Sequence, residues 1–436
     1  MPKLSQGDFI RLIDVDYSAA VYTDWLNSRE AGSGDIALVE EVFTEGPLCV
    51  VCLLCEPREG FLEWRASFHE AQLTYELLVD RPPYPQLPNK ESGKGSSEET
   101  KETQHTLPES PGIDPSWPTR KAVIQRLRDH LRDHLSDHFP RTNLAITQYN
   151  ARLDTDNPVN VVENISYVQA GHGFEAEAIA LAMEGKSWLS NLAQAADYLL
   201  FAYKLDFFWH ENFRKLYPDH PHGLHLFSVK GATEAMAYAM MLGWKHEAVY
   251  CGYLIHAALN RQHYLILSYE NEHRRAHAFM LRLFADWMGD VSHHWPPYAY
   301  DDPIYNGLIA HWRKADAAAL LPWLIAACDR HTHQARREKT RTFYDFGTPV
   351  LARLPIEIVF LLRLRKLFGL DMPVIDHPLM AAPFDQLPEP QPQPEPNEQM
   401  QGTLARARED WPMFDRMNSL ETIKALAGSG RNDKVP

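Results

Sequence analysis

The sequence predicts an α+β protein with a small N-terminal α+β domain, a Pro/Ser/Glu-rich linker and a large, mainly α-helical domain. Three observations support this. Short β-prone runs broken by Gly and Pro fill residues 1–80, a polar stretch poor in apolar residues occupies 81–118, and helix-length apolar periodicities run from 119 to 384. Residues 385–436 read as a Pro-rich tether with a short helical tail. A chain of 436 residues has room for two or three domains with ample core.

In the first domain, residues 9–15, 36–43, 48–55, 61–66 and 73–79 read as strands, separated by Gly34-Asp35, Gly46-Pro47 and Glu59-Gly60. Residues 17–29 read as a helix. Pro82, Pro83, Pro85 and Pro88 stiffen the start of the linker, and residues 91–106 have almost nothing to bury, so disorder is expected there. Leu127, Leu131, Leu135 and Phe139 then recur every four residues within a helix over 120–139. Residues 159–183, 187–217, 228–243, 246–259, 261–288 and 316–330 follow as helices with short joins, which suggests an antiparallel stack. Trp244, Trp287, Trp312 and Trp323 belong to its packing. The stretch 354–370 is its central helix: Pro355 suits the first position and Gly369 the place just past the end. Glu357 near its start and Arg363, Arg365 and Lys366 near its end match the helix dipole. Residues 356–362 are apolar except for Glu357, so this helix is expected to be buried, and it is too short to cross a bilayer. Residues 387–397 alternate Pro with Glu and Gln, and a short helix over 401–408 or 417–427 follows.

The net charge of −15 is unevenly placed. Residues 1–80 hold 15 Asp/Glu against 5 Lys/Arg, whereas residues 119–384 hold 28 of each. Such an acidic head can serve solubility, or it can steer a basic partner. No basic domain is available to neutralise phosphates, which disfavours nucleic-acid binding. No apolar leader follows Met1 and no apolar run is long enough for a membrane span, so a cytoplasmic protein is expected. Three of the five cysteines, Cys49, Cys52 and Cys55, share one apolar run and suit a reducing compartment.

Catalytic signatures are weak. His130, His134 and His138 form an i, i+4, i+8 stripe, but one straight helix spreads the outer two about 12 Å apart, too far for one ion. With Asp129, Asp133 and Asp137 interleaved, the stripe reads as a solvated face. Cys52 and Cys55 have zinc-knuckle spacing on one side only and read as core residues. His210, His220, His222, His225, His293 and His294 fit no metal signature, and neither a nucleophile elbow nor a P-loop is present. No catalytic residue, metal or cofactor is assigned.

The order of features over residues 323–387 is more specific. Asp329, His331 and His333 end one helix, and the aromatic turn Phe343-Tyr344-Asp345-Phe346-Gly347 leads towards the buried helix with Glu357. Phe368-Gly369-Leu370-Asp371 and Asp376-His377-Pro378-Leu379 then close the run. This order resembles the C-terminal helical domain of immunity proteins that guard against PoNe-type nuclease toxins. The chain is also similar to TsiT-type immunity proteins. Pro355 stands where an aromatic is usual in the former family, and the α+β head replaces its all-helical N-terminus.

The resemblance implies a binding protein that neutralises a secreted nuclease of restriction-endonuclease-like fold, often delivered by type VI secretion. Glu357, Asp376 and His377 match the family's helix Glu and closing turn, and are read as structural. A nuclease cleft attracts polyanion, so Asp14, Asp16, Asp24, Glu40, Glu41 and Glu45 are expected to form the toxin-binding surface. Trp25, Phe43 and Trp64 are its candidate apolar anchors, although Trp25 and Trp64 equally suit the core of a small domain. The expected partner is the cognate toxin, with no nucleic acid and no membrane, and a homodimer stays open. The alternatives are an adaptor or chaperone for a secreted effector and a metal-dependent hydrolase.

Overall fold

The computed structural model describes residues 4–5, 8–14, 20–24, 31–45, 48–55, 65–78, 110–153, 161–216, 227–261, 275–291, 302–337 and 344–428. They fall into two compact units, one built from the strands before residue 79 and one from residue 110 onward. The class is α+β with a large helical part.

Alternating apolar residues organise the first unit. Its strands are β1 (Phe9–Asp14), β2 (Ala20–Asp24), β3 (Ile36–Glu45), β4 (Leu48–Cys55), β5 (Arg65–His69) and β6 (Thr74–Leu78). They pair antiparallel in the order β2-β5-β4-β3-β1-β6. Ile10 and Leu12, Ala37 and Val39, Val51 and Leu53, and Ala66 and Phe68 sit two apart on their strands, so each pair reaches one shared core. Val39 pairs with Leu53 and Val42 with Val51, and the register shifts between Val39 and Glu41. That bulge re-aims the second half of β3. Residues 20–24, expected in a helix, form a strand instead. The run Val21-Tyr22-Thr23 favours a pleated surface, and the ladder to β5 provides the partner that helix periodicity ignores. The strand expected at 61–66 lies at 65–69.

The helical unit begins earlier than composition suggests. Residues 110–118, counted above as linker, pack on it: Asp114 N–H donates to Thr332 Oγ1 (2.9 Å) and Trp117 Nε1–H to the Ala352 carbonyl (2.9 Å). Helix α1 (Arg120–Asp133) runs through a π turn (His134–His138) into α2 (Phe139–Asn150). Then come α3 (Val161–Glu184), α4 (Leu189–Leu216), α5 (Val229–Met241), α6 (Lys245–Arg261), α7 (Arg275–Met288), α8 (Pro303–His311), α9 (Leu321–Gln334) and α10 (Ile356–Leu367). Helix α8 lies outside the helices that periodicity predicts, although Asp302 caps it and Pro303 opens it.

Helix α10 is the buried centre: Ile356 through Arg365 are all buried, and the chain leaves it at Gly369 with φ of 64°, which only glycine adopts without strain. Arg365 and Lys366 stand in the last turn, where the dipole favours them. Arg363 and Arg365 are in addition buried, and both donate to main-chain carbonyls of neighbouring segments.

The C-terminal segment is docked rather than a tether. Trp244 Nε1–H donates to the Gln391 carbonyl (2.7 Å), Gln391 N–H to the Leu242 carbonyl (2.9 Å), and Arg363 to the Pro388 carbonyl (2.6 Å). Helices α11 (Glu398–Asp410) and α12 (Phe414–Met417) complete a core with Ile146, Tyr167, Tyr198 and Phe208. Helix α13 (Leu420–Gly428) packs on α6. Both stretches considered for a single tail helix are therefore helical.

Candidate functional site

The expected toxin-binding residues divide into those the backbone positions and those it does not. Asp14 ends β1 and is exposed. Asp24 ends β2 opposite Arg65, and Glu40 stands at the β3 bulge. Glu41, Phe43 and Glu45 occupy alternate positions of β3, opposite Cys52, Val50 and Leu48. Asp16, Trp25 and Trp64 lie outside the described residues.

The structural residues named from the resemblance meet in the helical unit. Near the end of α9, Asp329, Arg330 and His331 are successive buried polar residues, and each has its own partner. Glu357 enters from the first turn of α10, and its Oε1 lies 2.9 Å from His331 Nδ1. His331 Nε2 faces the Leu351 carbonyl at 3.0 Å, so oxygen on both sides fixes the ring, and Phe346 stacks on it at 3.6 Å between centroids. Arg330 donates to Asp345 (2.7 Å), Asp302 and the Tyr305 hydroxyl (3.2 Å). These oxygens keep the guanidinium charged in spite of its burial. His377 Nε2–H donates to Asp329 Oδ1 (3.1 Å), while its Nδ1 accepts Leu379 N–H (3.1 Å). Burial holds the His377 pKa below the ordinary imidazole range, with Asp329 opposing that shift. Ser110 donates to the other Asp329 oxygen. Asp376, by contrast, is exposed.

A second polar layer lies between α3, α5 and α7, and the sequence reading missed it. Tyr238 OH donates to Glu175, whose other oxygen is 2.9 Å from His172 Nδ1. Glu234 Oε1 is 2.9 Å from His277 Nε2. Burial alone would raise the Glu234 pKa, but Lys230, His277 and His172 outweigh it and keep the carboxylate ionised. The available signal was a lone acid in the Ala/Met run of α5, as with Glu357 in α10.

The histidine stripe is not a uniformly solvated face. His134 is 2% exposed, and a Cβ at Gly173 would sit 2.4 Å from its Nε2, so glycine leaves the space that the ring fills. Burial, with His130, His138 and His172 nearby, lowers the His134 pKa. Among the described residues no group of three or more His, Cys, Asp or Glu could hold a metal ion. Cys251 and Cys328 are buried thiols, and burial pushes Cys251 up to about 12, far from a reactive thiolate.

These clusters join helices and leave few buried polar atoms unpaired. Among the described residues, Glu357 Oε2, His277 Nδ1 and His134 Nε2 are three such atoms, in three separate places. No helix among the described residues is long and apolar enough to cross a membrane. Comparison with family models, curated proteins and solved structures returned no match to this chain.

Proposed function

We propose that this chain is an immunity protein that binds and neutralises a secreted nuclease toxin of restriction-endonuclease-like fold, delivered by a type VI or related system. It would act in the cytoplasm by binding, without catalysing a reaction. The observation that supports this reading is the convergence of the resemblance residues. Glu357, His377, Asp329, His331 and Phe346, dispersed over nearly fifty positions of sequence, meet in one buried cluster joining α9, α10 and the closing turn. A cluster engaged in this way stiffens a binding body, and rigid bodies bind with less ordering cost. The acidic balance of residues 1–80 suits a cationic partner.

The test is co-expression of the full chain with the nuclease encoded in the adjacent reading frame. Restored growth, intact cellular DNA and a stable complex on size exclusion are the expected results. If the chain changes only the export or solubility of that nuclease while cells still die, it is an adaptor rather than an immunity protein.

A further inference from the structure

The end of the central helix presents an apolar tip to solvent. Leu367 is 46% exposed, Phe368 47%, Met372 40% and Val374 88%, all within eight residues. Isolated exposed apolar residues are ordinary, but a contiguous group on an ordered loop marks a contact surface.

This loop is fixed from beneath. Arg365, 0% exposed, makes five hydrogen bonds, all to main-chain carbonyls. Its Nε–H and Nη2–H reach the Asp371 carbonyl (3.0 and 2.6 Å), Nη1–H reaches Trp312 (2.6 Å) and Lys314 (2.8 Å), and Nη2–H reaches Ala315 (3.3 Å). At the far end the bond between His377 and Asp329 anchors the chain. Phe368 also stands edge-on against Trp312, with Arg313 over both rings. A fully desolvated guanidinium given over to loop carbonyls fixes the geometry of what lies above it, and here that is apolar side chains facing water.

The charges around the tip indicate what it fits. Arg313 is paired with Asp286 and Lys366 with Glu389. Asp371 and Asp376 are exposed on either side of Met372 and Val374, and among the described residues neither makes an ion pair. Lys314 and the buried Arg365 offset Asp371 and Asp376, but Asp316, exposed on the same turn and acting with Asp371 on the Arg365 guanidinium, leaves one negative charge in excess. We propose that residues 367–376 form the toxin-docking surface, with Phe368, Met372 and Val374 entering an apolar hollow whose rim on the nuclease carries Lys or Arg. The inference deepens the immunity reading and rests on it. It moves the main contact from the acidic strands of residues 1–80 to the helical unit.

The probe is a catalytically inactivated nuclease whose active form the wild-type chain neutralises in co-expression. If no adjacent-frame nuclease is neutralised, the immunity reading itself fails, and that is settled before any variant is made. Given such a nuclease, Met372→Asp with Val374→Asp should weaken binding at least about tenfold, with unchanged far-UV circular dichroism and thermal midpoint. Val374→Asp alone, at the most exposed position, should keep the fold and weaken binding several-fold. Reversing Asp371 and Asp376 to Lys should slow association and flatten its dependence on salt. Wild-type affinity in the double Asp variant would overturn the proposal, as would equal losses only from Asp14→Lys and Glu45→Lys in the first unit. A wild-type dimer that Val374→Asp splits, with toxin affinity unchanged, would assign the tip to a second copy of this chain and also overturn it.

Discussion

Glu357→Ala offers the sharpest test of the buried cluster. Glu357 and His331 are each 0% exposed and 2.9 Å apart, on different helices. The substitution removes one buried methylene, at about 0.8 kcal/mol, and a charge-assisted hydrogen bond worth about 1.5–3 kcal/mol. The expected loss is therefore roughly 2–4 kcal/mol, overlapping the range for breaking one side of a buried pair. His331→Phe alone should cost as much, because it leaves a carboxylate whose Oε2 already lacks a partner with none on Oε1 either. Glu357→Leu combined with His331→Phe should recover most of the loss, since both groups become apolar and Phe346 can still stack. Urea unfolding of the full chain followed at 222 nm reads mainly the helical unit, because the other unit is a sheet among its described residues. A loss below about 1 kcal/mol for Glu357→Ala would refute the view that this pair joins α9 to α10.

Three further perturbations test other parts of the fold. His256 is fully buried, and burial lowers its pKa to about 4, with its contact to the Gly252 carbonyl opposing. Its folded pKa is depressed, so its contribution is complete above about pH 6.5 and lost as pH falls through 4; between pH 7.5 and 5, His256→Phe should lose about 2 kcal/mol less stability than wild type in urea titrations. A Cβ at Gly307 would lie 2.1–2.4 Å from three ring atoms of Trp323. Gly307→Ala should therefore destabilise by about 1–3 kcal/mol despite better helix propensity, read as a lower thermal midpoint. Removing residues 385–436 takes the acceptor from Trp244 and one of two from Arg363, and strips Thr403 from Tyr167, and Trp411 and Phe414 from Phe208. The truncated chain should lose at least about 3 kcal/mol or precipitate, whereas a true tether would leave the unfolding curve unchanged.

The elements that the sequence announced are those whose signals are local. Helix α10 was legible from proline, glycine and one acid in an apolar run, and strand β4 from an unbroken β-prone segment between turn residues. The histidine stripe is not a separate solvated face, because i, i+4 spacing among histidines does not show which of them also falls on the leucine seam. His134 follows Leu127 and Leu131 at i+7 and i+3 and so shares their buried face over Gly173, while the π turn that starts at His134 shifts the residues after it and leaves Leu135 exposed. Composition likewise suggested that residues 385–397 would hang free, since a polyproline-like chain makes no hydrogen bonds to itself. For the same reason its carbonyls are open, and Trp244 and Arg363, far away in sequence, donate to them.

The two arginines of α10 make the same point about function. A dipole argument looks one turn along the helix and does not say what Arg363 and Arg365 touch. Their partners lie at the end of α5 (241) and in the segments at 312–315, 371 and 388, positions that no spacing rule connects to them. Net charge drew attention to residues 1–80 because charge can be counted along a sequence, whereas the rigidity of a loop cannot. The fully buried Arg365 holds the Asp371 carbonyl of the loop that carries the exposed Val374, a relation in space, and it is why the tip of the helical unit, rather than the acidic strands, is proposed as the contact surface. Arg365→Leu should separate support from contact: it leaves every exposed side chain of the tip in place but removes five hydrogen bonds beneath it. Faster backbone amide exchange over 368–376, with toxin affinity falling in step, is the expected outcome. Unchanged exchange there would mean that the loop needs no such support, and the case for a preorganised surface would fall with it.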